Sequence, residues 1–408
     1  MTQEIPKDWS MFDSPGARDF ETNIGKEEHE NMIKEKLEGG FLNPGEAYIE
    51  ENRENILEKL RNEGTLIVPM RETGSRVEQF ISHAANVMGK NNIIVINNGS
   101  DNVAVNIANQ YAEVVDYEEI LQLIDWDKLK PILNLDKIPK GKGLATWTGY
   151  IMTNLLEKEK GEKKLWRLHH DAEFTNTGGH SNLYYMGSGF LEGGEEASRV
   201  AIAKVGRNND GSLAVRSALA QMARWPDTEG LASIKKRAVD LTEKTTPYIW
   251  MLTGQFAMRA ELLDNMPMPN HYLMETCSVI FTEDMNGRTG QRSFQVVNPN
   301  PCGGGDNSNE KEGIIVTNPG HLLIELAAYK PLPEWNIHDV AKYNKKNGDY
   351  TPIYYFDHQP GQPDPQEKTS PVKVKMIPTE KMLPSVNMLF ENSLIDVKKG
   401  RDFVKKYI

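Results

Sequence analysis

Thr65-Leu-Ile-Val-Pro-Met-Arg-Glu72 and, one helix further on, Asn92-Ile-Ile-Val-Ile-Asn-Asn-Gly-Ser-Asp101 decide how this chain is read. Each begins as a short aliphatic, β-branched run and stops at turn chemistry. In the first the stop is Pro69; in the second it is the cluster Asn97-Asn-Gly-Ser-Asp101. Between them, Gly74 to Met88 carries Val77, Phe80, Ile81, Ala84 and Val87 at helical spacing. Val103 to Tyr111 predicts another helix, and Ala112-Glu-Val-Val115 a third strand. The pattern is βαβαβ. Its near-continuous apolar strands predict a parallel sheet buried on both faces. Ligands of such sheets gather at the carboxyl ends of the strands.

Outward from this core, Leu144 to Leu156 predicts a helix, and Leu165-Trp-Arg-Leu168 a fourth strand running into His169-His-Asp-Ala-Glu173. Residues 175–199 are rich in Gly, Ser, Asn and Thr and read as loop with little core of its own. Helices are expected at Ser212 to Trp225 and Leu231 to Leu241, and polar, Gly-rich loops at 206–212 and 299–313. Residues 1–62 mix acids and bases, with Ile33, Leu37, Ile56 and Leu60 as sparse apolar positions. They read as a charged helical extension packed on the outside. The last part, 331–408, holds many Pro and Lys residues and is expected to wrap the core as an irregular arm.

Composition excludes several classes. Asp and Glu outnumber Lys and Arg by 58 to 47 in a chain of 408, a formal charge of −11. General nucleic-acid binding needs clustered Lys and Arg to neutralise phosphates, and anionic membranes ask for the same. Two cysteines, Cys277 and Cys302, make no disulfide scaffold, and no Cys-x-x-Cys pair exists for a zinc ribbon. No stretch approaches the roughly 18 apolar residues of a membrane span. Met1-Thr-Gln-Glu-Ile-Pro-Lys-Asp8 lacks the basic start and apolar stretch of a signal peptide. The expectation is a soluble cytoplasmic protein.

Four constellations could carry chemistry. Val68-Pro-Met-Arg-Glu72 offers a backbone-lined slot at a strand end, or an ordinary strand-to-helix turn. It has neither the Gly-x-Gly-x-x-Gly of a dinucleotide fold nor the Gly-Lys-Ser/Thr of a P-loop. Asn97 to Asp101 is either a hydrogen-bonding turn or a ribose site beside that slot. Pro139-Lys-Gly-Lys-Gly143 precedes a helix. Its glycines would let the backbone approach an anion, and Lys142 would add charge; a solvated basic turn is the competing reading. Asp171-Ala-Glu173 follows an apolar strand with two carboxylates suited to Mg2+ or Mn2+, though Asp-x-Glu is common in turns. His169 and His170 are adjacent on an extended segment, so their side chains point to opposite faces and do not readily share one ion. In chain order these segments supply a base slot, a ribose site, a cationic phosphate contact and a metal motif.

In this order of motifs the sequence resembles the GT-A nucleotide-sugar glycosyltransferases, and within them the glucosyl-3-phosphoglycerate synthase and mannosylglycerate synthase group. The matching pieces are Ile67 to Glu72, Val95 to Asp101, Ala112 to Val115, Gly141 to Gly143 and Asp171 to Glu173. Leu252-Thr-Gly-Gln-Phe-Ala-Met-Arg259 and Met266 to Glu275 follow. The resemblance covers roughly residues 63–300. It implies an α/β fold of GT-A type, with a Rossmann-like, mostly parallel sheet flanked by helices. It also implies a nucleotide-sugar-binding half at 63–180 and an acceptor-binding half at 181–330.

The resemblance further implies that Pro69, Met70, Arg71, Glu72, Asn98, Ser100, Asp101, Lys142 and Ala172 bind the nucleotide. Asp171 and Glu173 would hold the metal with His321 as third ligand, Asp306 or Asn307 being alternatives. Gly254 and Gln255 would face the sugar. Lys204, Arg207, Gly211, Ser212 and Arg216 would face an anionic acceptor such as a glycerate or phosphoglycerate. Gln255 stands where the family often has Glu, and no His lies in 297–306, where the family places one. The expected partners are a nucleoside-diphosphate (UDP or GDP) sugar and a small acceptor, with a homodimer among the family's oligomeric states.

The implied reaction is hexosyl transfer with retention, needing no protein base. Asp171, Lys142 and Glu275 are the catalytic candidates, with Glu275 as general base if the reaction inverts. The competing functions are a sugar-1-phosphate nucleotidyltransferase, which needs a Gly-rich loop with an Arg where Gly74-Ser-Arg76 stands, and a nucleotide-binding module without turnover.

Overall fold

The computed structural model describes residues 41–42, 44–71, 73–139, 141–172, 181–204, 236, 254–271, 273–298, 330–346, 350–355, 373–378 and 381–407. Strand β1 (Phe41–Leu42) precedes helices α1 (Gly45–Glu51) and α2 (Arg53–Glu63). There follow β2 (Gly64–Met70), α3 (Val77–Met88), β3 (Ile93–Asn97), α4 (Asn102–Tyr111) and β4 (Glu113–Asp116). Next come α5 (Tyr117–Leu121), α6 (Trp126–Leu133), α7 (Lys142–Lys160), β5 (Trp166–His169), α8 (Asn182–Gly193) and β6 (Ala197–Lys204). Then come β7 (Phe256–Arg259), α9 (Ala260–Leu263), β8 (Met268–Pro269), α10 (Met274–Thr289) and β9 (Arg292–Asn298). The C-terminal part holds α11 (Ile337–Lys346), β10 (Tyr350–Tyr355), β11 (Lys373–Pro378), β12 (Met382–Leu383), α12 (Val386–Glu391) and α13 (Val397–Val404).

Among the described residues, eight strands form one sheet in the order β1-β9-β6-β7-β5-β2-β3-β4. Pairing is parallel throughout except at β7, which runs antiparallel to both β5 and β6. This is the mostly parallel α/β architecture that the motif order implies. The chain steps outward from β2 to β3 to β4 and then returns to the other side of β2 with β5. That reversal leaves a crevice between the carboxyl ends of β2 and β5, where open α/β sheets receive ligands. Because β7 is reversed, its start lies at this same edge.

The continuous apolar strands serve two cores at once. Ile67, Ile94 and Ile96 face one cluster, with α7 and α10 residues; Leu66, Val68, Met70, Ile93 and Val95 face the other, with α2, α3 and α8. This is the period-two alternation of a strand covered on both faces. Helix α7 is buried from 143 to 156. The sheet lies under it, where Gly149 leaves room for Ile67 and Ile96. The C-terminal part lies over it, where Trp147 Nε1 donates to the Pro384 carbonyl at 2.8 Å.

Three expectations are corrected. Residues 182–193, read as loop, form α8, nearly all buried. Its glycines, which look like loop residues in isolation, set its packing distance. A Cβ on Gly187 would lie 2.7 Å from Ile56 Cγ2, and one on Gly189 2.5 Å from Val200 Cγ1. The charged segment before residue 63 is partly core: Ile56, Leu57 and Leu60 of α2 are buried, and β1 pairs with β9. The C-terminal arm is not irregular where described. β12 pairs with β8, and α13 brings Gly400 against Leu155 of α7. The helices expected at 212–225 and 231–241 lie outside the described residues, apart from Lys236. No helix among the described residues is long and apolar enough to cross a membrane.

Candidate active site

Asp171 leaves the carboxyl end of β5, Lys142 opens α7, Glu275 sits in the first turn of α10, and Gly254 precedes β7. The sheet reversal at β7 brings all four together. Lys142 Nζ lies 2.7 Å from Asp171 Oδ1 and 2.9 Å from Glu275 Oε1. Gly254 is packed so closely that a Cβ there would collide with Asp171 Oδ2 and lie 3.2 Å from Glu275 Oε1. The three side chains keep 14–27% of their surface open, so the cluster faces a crevice rather than the core. A carboxylate in the first turn of α10 is also favoured by the helix dipole.

The electrostatics follow from one ammonium between two carboxylates. Burial pulls the Lys142 ammonium down, but Asp171 and Glu275 outweigh it and hold its pKa above the ordinary lysine value. Burial pushes the Asp171 carboxyl up, but Lys142 outweighs it and holds the group well below the usual carboxylate range. Both side chains are therefore charged at neutral pH.

The first turn of α7 shows what the flanking glycines do. Gly143 N–H donates to the His271 carbonyl and Leu144 N–H to the Asn270 carbonyl, both at 2.9 Å. A Cβ at Gly141 or Gly143 would strike the backbone of 269–271. The glycines let a neighbouring strand end approach, rather than cradling an anion, and those two N–H groups are spent within the chain. The 269–271 segment is itself fastened from the C-terminal side: Asn270 N–H donates to the Lys381 carbonyl at 3.0 Å, and Lys381 N–H to Asn270 Oδ1 at 2.7 Å. In the cluster with Asp171 and Glu275, positive charge comes from the Lys142 side chain rather than from these backbone N–H groups.

Sequence reasoning takes one of the two histidines as a packing residue and leaves the other undetermined. His169 Nδ1 lies 2.7 Å from the Gly254 carbonyl oxygen and donates to it, while its ring stacks on Phe256 and its Nε2 lies 3.5 Å from Thr146 Oγ1. His170 stacks on Phe80, donates from Nδ1 to the Asp171 carbonyl at 2.8 Å, and accepts at Nε2 from Asn182 Nδ2 at 3.2 Å. Asn298 Nδ2 donates in turn to Asn182 Oδ1 at 2.7 Å, tying the end of β9 to this shell. Their rings point opposite ways, and neither is placed as a partner of the other on one ion.

Burial, and then the charge of Lys142, lowers the His169 pKa from 6.5 to about 4. The unfolded chain therefore takes up the ring's proton more readily than the folded one. The part of the stability linked to His169 is full above pH 6.5, falls as pH drops below it, and levels off near 4. The loss is on the order of 3 kcal/mol in all. His83 and His271, also lowered by burial, add to the same fall. Melting curves from pH 7.5 to 5 should thus show a smaller acid loss for His169→Asn than for wild type, and equal losses would contradict the assignment.

The other anticipated residues are spread around this centre. Pro69 is half-buried near the end of β2, and the Met70 side chain faces the core while its carbonyl accepts from Asn98 N–H at 2.9 Å. Arg71 is exposed; its charge adds to the burial that lowers the His271 pKa and slightly offsets the burial and carboxylates that raise the Tyr117 pKa. Asp101 caps α4, its Oδ1 accepting from Ala104 N–H at 2.8 Å. Asn97 closes the loop by accepting from Ser100 N–H at 2.8 Å and donating to Asp116 at 3.0 Å. Ser100 Oγ is buried with no hydrogen-bond partner among the described residues. Ala172 packs into the core, and Gln255 is fully buried, its carbonyl accepting from Ile202 N–H at 3.0 Å. Lys204 ends β6. Glu72, Glu173, Arg207, Gly211, Ser212, Arg216, Asp306, Asn307 and His321 lie outside the described residues.

Among the described residues no three metal-ligating side chains gather at one point. The donor chemistry at Asp171 still fits a hard divalent ion. Two carboxylates there already share one cation, and Mg2+ is commonly held by one or two carboxylates plus substrate phosphates. A separate apolar cavity of about 370 Å3, lined by Tyr117, Leu121, Trp126, Ile138 and Pro139 among others, opens beyond β4; none of the four convergent residues lines it.

No family model matches the sequence, and no curated protein matches it. Solved structures similar to it include glucosyl-3-phosphoglycerate synthase from Mycobacterium tuberculosis in several complexes. The complex with Mg2+ and UDP is 17% identical, over 67% of this chain and 83% of that one, with a TM-score of 0.47. The complex with Mn2+, UDP and phosphoglyceric acid is 14% identical, over 90% of this chain and 96% of that one, with a TM-score of 0.49.

Proposed function

We propose that the chain is a cytoplasmic, metal-dependent glycosyltransferase. It moves a hexose from a UDP or GDP sugar to a small anionic acceptor of the glycerate or phosphoglycerate kind, with retention. One observation carries the reading: Lys142, Asp171 and Glu275, far apart in sequence, meet over Gly254 at the crevice where the sheet reverses. The order of motifs along β2, β3, α7 and β5 supports it.

In this reading Asp171 and Glu173, with His321 as third ligand, would hold Mg2+ or Mn2+, and Glu275 stands beside Asp171. When bound, the ion supplies Lewis-acid neutralisation of the diphosphate. Lys142 turns its ammonium to the diphosphate oxygens and stabilises the charge that builds as the glycosidic bond to phosphate breaks. The acceptor hydroxyl forms the new bond to the anomeric carbon on the same face, and its proton passes to the departing phosphate oxygen. Gly254 and Gln255 line the sugar side. Lys204, Arg207 and Arg216 attract the acceptor's negative charge, with Gly211 and Ser212 in the same segment. Pro69, Arg71, Glu72 and Ser100 face the nucleoside.

Glu275 already shares its negative charge with Lys142, which disfavours it as the general base of an inverting reaction. A nucleotidyltransferase would want a free arginine early in the first strand-to-helix turn. Arg76 instead turns back, its Nε donating to the Thr73 carbonyl at 3.4 Å.

Thermal melting with UDP, GDP, ADP and their sugar conjugates, each with and without Mg2+ or Mn2+, tests the reading. A ligand of the native state at a hundred times its Kd stabilises by about 2.7 kcal/mol. A metal-dependent rise is expected with one nucleotide. Asp171→Ala is expected to remove that rise and abolish transfer while folding is retained; substantial transfer by this variant would sink the metal assignment.

A further inference from the structure

The geometry points to His169 as a positioning residue: its Nδ1–H fixes the Gly254 carbonyl and thereby sets the spacing of Asp171, Lys142 and Glu275 on which diphosphate binding depends. The inference rests on the glycosyltransferase reading and adds to it a residue that the motif order does not supply.

The argument starts from the sheet. β5 and β7 are antiparallel, with His169 opposite Phe256, so the last residue of one strand faces the first of the other. The regular ladder stops at that pair. His169 is fully buried, and its Nδ1 bridges the gap to the Gly254 carbonyl at 2.7 Å. A carbonyl oxygen only accepts, so Nδ1 carries the proton and the ring is held in one tautomer. Two contacts keep the ring from turning: the stack on Phe256, with centroids 5.3 Å apart, and Thr146 Oγ1 near Nε2. Thr146 Oγ1 also lies 3.0 Å from the Lys142 carbonyl, so the same ring touches the turn that presents Lys142.

On its other side Gly254 has no slack. The space a Cβ would take is filled by Asp171 Oδ2, with Glu275 Oε1 next to it. The Gly254 backbone is therefore the floor on which both carboxylates rest, and His169 is the bolt through that floor. Partners that orient the ligands of a cation in this way typically cost 10–100-fold in affinity when removed, roughly as much as many ligands themselves.

The test separates the hydrogen bond from the packing. His169→Phe keeps a ring against Phe256 and removes the donor. His169→Asn loses the ring but places an amide N–H close to where Nδ1–H stood. UDP or GDP affinity, whichever binds the wild type, would be measured by titration calorimetry at saturating Mn2+, beside circular dichroism and melting of each variant. The expected result is a loss of about tenfold or more in His169→Phe with its secondary structure kept, and recovery of most of that loss in His169→Asn. Wild-type affinity in a folded His169→Phe would overturn the inference alone. So would an Asn variant that folds but binds no better than the Phe variant, because packing would then be what mattered. If His169→Phe fails to fold, the Asn variant decides: near-wild-type affinity supports the bolt, and loss overturns it. Absence of binding by the wild type with every nucleotide and metal would overturn the functional reading and the inference with it.

Discussion

Turnover by Lys142→Met is expected to fall by on the order of a thousandfold, the size of loss seen when a preorganised charge-stabilising donor is removed. The same variant should bind Mn2+ more tightly than wild type when no nucleotide is present. In the wild type the ammonium is held between Asp171 and Glu275 at 2.7 and 2.9 Å, so an arriving divalent ion meets carboxylates that already have a cation. Methionine has similar length and no charge, and leaves both carboxylates uncompensated, which raises their demand for a metal. On the proposed function, a bound diphosphate would do the same in the wild type by drawing Lys142 away. Metal and nucleotide should therefore each tighten the other's binding, by equal factors. Mn2+ titration followed by electron paramagnetic resonance, with and without UDP or GDP, reads both effects. Unchanged metal affinity in Lys142→Met would show that the ammonium does not compete.

Gly254→Ala should be nearly as damaging, though it adds one methyl group and no charge. Its Cβ collides with Asp171 Oδ2, and the obstacle on the other side is the His169 bolt, so neither partner has an easy retreat. Asp171 must swing off Lys142 or the 254–255 backbone must lift. A displacement near 1 Å at a reacting centre can cost about a hundredfold in rate. Overpacking of this kind also lowers stability by about 1–3 kcal/mol. Rate assays beside urea denaturation check both numbers. A variant with wild-type activity would mean that the crevice is looser than these contacts imply.

Much of this was legible in the sequence, and for a clear reason. β2 and β3 are short aliphatic runs bounded by turn residues, so their positions could be read to within about a residue. Asp171, Lys142 and Glu275 were selected by motif order, and the fold brings them into contact. What could not be read depends on neighbours far along the chain. Gly187 and Gly189 look like loop residues locally, and only the presence of Ile56, Leu60 and Val200 makes them helix-packing residues. Gly141 and Gly143 have the composition of an anion cradle, and only the 269–271 backbone reveals their use. The place of His169 beside Gly254 needed β7 to run backwards, and a four-residue strand such as Phe256-Ala-Met-Arg259 carries no sign of direction.

The fastening of α7 to 269–271 has a mechanical corollary. Lys142 rides on one side of that joint and Glu275 follows four residues after its other side, so the two charges belong to a single stiff bracket. Asp171 hangs from a different support, the end of β5. The backbone positions that carry Lys142 and Glu275 are held by the bracket at one separation, while the Lys142 side chain stays free to turn between its partners. The three charges thus stand on two supports, a bracket of α7 and 269–271 on one side and the end of β5 on the other, and it is the contact at Gly254 that joins them.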